Sequence, residues 1–128
     1  MGYTKYKKTA VESAGREKLL LMLYEGAIKF NKMAILSCEK KDIQGRCENI
    51  GKTYDIILEL TNTLDHKVGG DVAKNLEQLY MFMTDELTRA NITGKVEHLN
   101  NVLKILETLY EGWKEAIEMI KKNESKGA

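Results

Sequence analysis

The sequence predicts an all-α fold, an antiparallel up-down-up-down four-helix bundle, on three observations. Proline is absent from all 128 residues, so nothing forces a helix to break. No segment sustains the period-two alternation of apolar and polar residues that marks a half-buried strand. Apolar residues instead recur three and four apart over four long stretches, and the short links between them oblige neighbouring helices to run antiparallel.

Helix A is expected from about Gly15 to Lys41, opening on GREKLLLMLYEGAIKF. Helix B follows from about Asp42 to Asp65, where Ile43, Cys47, Ile50, Tyr54, Ile57, Thr61 and Leu64 alternate by four and three, the seam of a packed helix. HKVGGD breaks that pattern: Gly69 and Gly70 permit a turn, and Asp71 is a good N-cap. Helix C, Val72 to about Asn91, carries Val72, Leu76, Leu79, Met83, Leu87 and Ala90. Helix D opens after NITG, where Thr93 can cap and Gly94 relaxes the turn. Its seam is Val96, Leu99, Leu103, Leu106, Tyr110, Trp113, Ile117 and Ile120. The heptad-like spacing predicts shallow crossings of about +20°. Residues 1–14 hold Tyr3 and Tyr6 among lysines with no seam, and are expected to form an arm lying on the bundle. The bundle itself is expected over 15–122, with 123–128 a flexible tail.

Composition narrows the function. The length suits one domain that buries a core without staples. Twenty Lys and Arg against 19 Asp and Glu leave a net charge of +1, without the basic face that nucleic acid requires. No apolar h-region follows a basic start, so no secretory signal is expected. The apolar run from Leu19 to Leu36 is interrupted by Glu25, Lys29, Asn31 and Lys32, which excludes a membrane span. Cys38 and Cys47 read as reduced thiols in a cytoplasmic protein. The residues three before His66 and His98 are Thr63 and Lys95, so neither histidine fits the Glu-x-x-His pattern of a di-iron bundle. Two cysteines and two histidines at scattered positions give no zinc spacing, and VGGD lacks the Gly-Lys-Ser/Thr of a phosphate loop. His66, near a helix C-terminus, reads as a dipole contact. Neither an enzyme nor a cofactor is expected.

What stands out is a surplus of apolar side chains. Leu19 to Tyr24 are six apolar residues in a row, and only a narrow strip of helix A is charged. One stripe, Leu20, Leu23, Ala27, Phe30 and Ala34, suffices for the core. A second, Leu21, Tyr24, Ile28 and Ile35, lies to one side, and Leu19, Met22 and Met33 lie nearer the other. Ile56 and Leu60, Tyr80 and Phe82, and Ile105 and Met119 fall off the seams of the other helices. From spacing alone, either helix A is central and wholly covered, or a groove awaits an apolar partner. An oligomerisation or adaptor module, burying the surplus on a copy of itself, satisfies the same pattern.

SAGREKLLLMLYEGAIKF resembles the opening motif of the flagellin-specific export chaperones, the FliS family. The match is Ser13-Ala14, then Leu19 through Leu23-Tyr24-Glu25-Gly26. IILEL (Ile56 to Leu60), Leu64-Asp65, LEQLYMFMTDELTRAN (Leu76 to Asn91) and Trp113 are similar in order and spacing. Arg16 stands where the family usually has proline, which moves the expected helix start by a residue or two. The resemblance implies a cytoplasmic chaperone that binds the disordered C-terminal region of flagellin one to one, prevents premature polymerisation and escorts the client to the type III export gate. It implies no nucleotide, a protein monomeric until client arrives, room for a co-chaperone or antagonist, and an N-terminal tyrosine segment that shifts on binding. Helix-in-groove recognition needs several apolar anchors. The candidates for client contact are Tyr6, Leu21, Tyr24, Ile28, Ile56, Leu60, Tyr80, Phe82, Ile105 and Leu109. Tyr24 fits equally a buried tyrosine whose hydroxyl has a partner.

Overall fold

The computed structural model describes the backbone of residues 2–127 and the side chains of residues 15–125. Four helices follow in order: α1, Gly2–Glu39; α2, Ile43–Asn62; α3, His66–Thr93; and α4, Val96–Gly127. No strand occurs among the described residues. Both α1 and α3 pack on α2 and α4, which leaves α1 and α3 facing each other across a diagonal.

Side-chain neighbours fix the directions. Along α1 and α2, Ser37 lies beside Gly45, the Lys52 ammonium sits over the Phe30 ring, and Ile56 packs over Gly26. One number falls as the other rises, so the pair is antiparallel. Between α1 and α4, Asn31 reaches Leu99, Glu25 meets Tyr110 and Tyr24 meets Trp113, again in opposite order. Arg46 at the start of α2 bonds Asn91 near the end of α3. The bundle is therefore up-down-up-down, as the short links required. Its core is Tyr24, Ala27 and Ala34; Ile50, Ile57 and Leu60; Leu76, Tyr80, Met83, Leu87 and Ala90; and Leu99, Val102 and Leu106.

The ends of the helices differ from the expectation. The backbone of α1 is already helical from Gly2, through the residues expected as an arm, and α4 runs on to Gly127. Gly15 has open space around it, and one glycine costs a helix only about 1 kcal/mol relative to alanine. Asp42 caps α2, its carboxylate accepting the Gly45 N–H at 3.0 Å. Asp65, not Asp71, caps α3, where it accepts from the N–H groups of Lys67 and Val68 at 3.0 and 3.1 Å. The Gly69-Gly70 pair makes a kink inside α3 instead of the interhelix turn. Gly70 holds φ 50° and ψ −123°, a conformation costly for any side-chain-bearing residue. His66 consequently opens α3, and its Nε2 lies 3.2 Å from Glu77. Gly94 ends α3, and Thr93 Oγ1 accepts from the Lys95 N–H.

Two seams are turned from their expected positions. On α3, Ala73 and Tyr80 are buried while Val72 and Leu79 are exposed. Both sets keep the three-four spacing, and the hydroxyl of Tyr80 finds a partner inside the core, which permits its burial. On α2, Ile43 and Cys47 face solvent, and Thr53 and Leu60 take core places. Thr53 is accommodated because its hydroxyl donates to the Asn49 carbonyl. Near the end of α4, Ile120 is exposed. Cys38 and Cys47 are free thiols.

Candidate functional site: an apolar cleft beside the α2–α3 link

Helices that meet only across a diagonal leave room between them unless large side chains fill it. At the end of the bundle holding the α2–α3 link, they do not. A cleft of about 400 Å³ opens there. Arg16, Leu19, Leu20 and Leu23 of α1 form one wall, and Thr63, Leu64 and Asp65 of the link close the end. Val68, Gly69, Val72, Ala73 and Leu76 of α3 form the other wall, with Tyr80 and Trp113 below. The kink at Gly70 separates the first turn of α3 from the rest of the helix, and Val68 is left 86% exposed and Val72 63%. Leu19 opposite is 53% exposed. Among the described residues, Arg16 and Asp65 are the only charged groups in the lining.

Beneath the cleft lies a hydrogen-bonded aromatic trio from three helices. The hydroxyls of Tyr24 and Tyr80 share a hydrogen bond, linking α1 to α3 across the diagonal. The indole N–H of Trp113 donates to the Tyr24 oxygen at 3.2 Å. Burial pushes both phenols above their ordinary pKa, so each keeps its proton at neutral pH. Apolar walls over a polar, closed floor make a receptor for grease. Among the described residues no cluster of His, Cys, Asp or Glu is placed to hold a metal.

Other apolar surface is more scattered. Met22, Met33 and Leu36 are exposed on α1, and a smaller hollow of about 230 Å³ lies between α2 and α3 beside Tyr54 and Ile92.

Measured against this geometry, the residues expected to contact a client divide into groups. Tyr24, Leu60 and Tyr80 are core residues and offer almost no surface, which corrects their assignment to a free stripe; of the nine whose side chains are described, Tyr80 alone borders the cleft. Ile28, Ile56, Ile105 and Leu109 are half-buried and packed against the core, and Leu21 is half-buried as well. Phe82 is exposed but lies away from the cleft lining. Tyr6 lies outside the residues whose side chains are described. Sequence reasoning missed Leu19, Val68, Val72 and Trp113 as a group. Leu19 carried a signal, an apolar residue outside the core stripe. Val68 sat in a stretch read as a turn, and Val72 and Trp113 were read as seam.

The model of the family described as Flagellar protein FliS matches residues 1–120. The chain belongs to the FliS family. It is 36% identical over 112 residues to the flagellar secretion chaperone FliS of Vibrio cholerae, covering 84% of this chain and 82% of that one. It is 33% identical to the Campylobacter jejuni FliS, over 90% of both chains, and 31% identical to that of Bacillus subtilis, over 94% and 90%. The crystal structure of a bacterial flagellar chaperone superposes with a TM-score of 0.74 over 80% of this chain and 84% of its own, at 21% identity, and so shares the fold. FliS is a family of chaperones, not of enzymes. No helix among the described residues is long and apolar enough to cross a membrane.

Proposed function

We propose that this FliS-family chain is a cytoplasmic export chaperone that binds the disordered C-terminal segment of flagellin one to one, blocks its premature assembly and escorts it to the flagellar export gate. The observation that carries the reading is the open apolar cleft between α1 and the first turns of α3. A client segment laid there as an amphipathic helix covers Leu19, Val68 and Val72, each worth about 1.5–3 kcal/mol when fully buried. Ordering a disordered client costs roughly 2–5 kcal/mol or more, and lost translational and rotational freedom about 4 kcal/mol or more again, so three anchors barely offset the sum. A long client therefore needs further contacts. Met22, Met33 and Leu36 of α1, and Phe82 with the half-buried Leu21, Ile28, Ile56, Ile105 and Leu109, are the apolar side chains available to supply them.

In this reading the N-terminal segment, residues 1–14, acts as an arm that shifts when client binds, with Tyr6 among its contacts. Deleting it changes client affinity while the remaining bundle keeps its cooperative unfolding; loss of that cooperativity would show the segment to be structural. The direct test is calorimetry with a peptide from the last ~40 residues of a cognate flagellin, whose binding buries apolar surface and so gives a negative heat-capacity change. One-to-one binding is the expected result. An absence of heat at micromolar concentrations contradicts the proposal.

A further inference from the structure

Two contacts show that the first turn of α3 folds back on the rest of the helix. A Cβ added to Gly69 would lie 2.9 Å from the Ala73 Cβ, whereas residues four apart on a straight helix hold their Cβ atoms about 5–6 Å apart. The second contact is longer in sequence. His66 Nε2 lies 3.2 Å from Glu77 Oε2, eleven residues on. Along a straight helix the two Cα atoms would stand about 16 Å apart, beyond the joint reach of the side chains. Both contacts exist only while the chain is bent. The two glycines permit the bend: Gly69 brings no side chain against Ala73, and Gly70 holds φ 50° and ψ −123°, which would strain any other residue.

The bend decides where Val68 is placed. On a straight α3, Ala73, Leu76 and Tyr80 share the buried face, and Val68 would stand about 100° round the axis from it, outside Val72. In the bent chain Val68 lines the cleft, yet its side chain is almost wholly uncovered. So exposed a valine contributes little to holding the bundle together. The turn that carries it is nonetheless well fixed: the Asp65 carboxylate accepts from Lys67 and Val68, and the Gly69 N–H donates to the Asp65 carbonyl at 2.8 Å.

We propose that Gly69, Gly70 and the His66–Glu77 pair are positioning residues for the client: they hold the first turn of α3 folded back so that Val68 joins the cleft wall, and straightening the turn withdraws that anchor. This rests on the reading of the cleft as the client site and adds to it the device that completes one wall. The glycines carry most of the effect. The His66–Glu77 pair is half-exposed, and such pairs contribute little.

The test is a mutant cycle on the full-length protein, read by calorimetry with the flagellin peptide. Gly70→Ala is expected to weaken binding about tenfold, the worth of one buried valine. Gly69→Ala, which acts by collision with Ala73 and not through φ, gives a similar loss. Glu77→Gln gives about a twofold loss. In a Val68→Ser background none of the three weakens binding further, because the anchor they position is already gone. N–H residual dipolar couplings of residues 67–69, set against those of Ala73 to Ala90, report the bend: two helix directions in wild type, one in the glycine variants. Unchanged affinity in both glycine variants, equal losses with and without Val68, or a bend that persists in both variants overturns the inference. Peptide binding that ignores the bend sinks only the role of these four residues, whereas absence of binding to wild type sinks the client site and the inference with it.

Discussion

The two ends of this bundle solve opposite problems. At the end carrying the α1–α2 and α3–α4 turns, buried polar groups are joined by hydrogen bonds, with Arg46 Nε, Asn91 Oδ1 and Asn31 Oδ1 left without a partner among the described residues. Arg46 donates to the Asn91 carbonyl and lies against Gly94, where the last carbonyls of α3 need partners. Glu86, only 4% exposed, accepts from Asn101 at 3.0 Å and lies 3.1 Å from His98 Nδ1, with Arg89 at 3.6 Å. The amide of Asn31 donates to the Leu99 carbonyl. Gly45 packs so close that an added Cβ would lie 2.4 Å from Asp42 Oδ2 and 2.7 Å from Ser37 Oγ. At the other end, the walls are Leu19, Val68 and Val72, and little covers them. One end is held together by polar contacts between helices; the other presents apolar walls open to a partner.

That contrast is open to breakage by substitution. The largest expected effect is in the core under the cleft end, where Leu60 lies in the last turn of α2: Leu60→Ala lowers unfolding free energy by about 2–5 kcal/mol in urea denaturation. A change within about 0.5 kcal/mol would return Leu60 to the surface role that spacing suggested. Gly45→Ala comes next, losing about 1–3 kcal/mol because Asp42 and Ser37 must move to admit the methyl. Equal stability would mean that the turn end is looser than its geometry. Val68→Ser with Val72→Ser is expected to shift stability by no more than about 0.5 kcal/mol per site while weakening flagellin-peptide binding about tenfold or more. Intact affinity in that variant would move the client site elsewhere.

The smallest effect is the dependence on pH. Donation from Asn101 holds the Glu86 carboxyl below its ordinary pKa, with His98 and Arg89 adding to it against the opposing cost of burial. A carboxylate lowered by folding contributes stability above the unfolded value of 4.5 and loses it as the pH falls through the folded value. The stability difference between wild type and Glu86→Gln should therefore shrink as the pH drops below 4.5. A difference that is constant or grows on acidification would show that the carboxylate is not held in its charged form.

How much of this was legible follows from what periodicity measures. A wheel assigns faces around one axis, so four helices, their order and most of the α4 seam were readable. It does not say which neighbour covers a face. Val72 and Ala73 both fit a three-four pattern on α3, and only the packing of Tyr80 against Tyr24 decides between them. The cleft depends on a diagonal gap and on a kink at Gly70, both products of assembly. Val68 looked like part of a turn because a Gly-Gly pair so often ends a helix; the Asp65 cap, placed earlier, wins there. Glu86, His98 and Asn101 meet across two helices and were invisible as a group. The residues that carried the family resemblance, Leu23-Tyr24-Glu25-Gly26 among them, are largely structural: Tyr24 holds the aromatic trio and Glu25 accepts from Tyr110.

The most direct measurement of the difference between the ends is a map of backbone and indole N–H shifts as flagellin peptide is added to the isotope-labelled protein. The signals of Val68, Val72 and the Trp113 indole should move together and saturate at one equivalent, while Gly45 and Gly94 stay in place. Shifts centred on Gly45 and Gly94, with the Trp113 indole unmoved, would contradict the account.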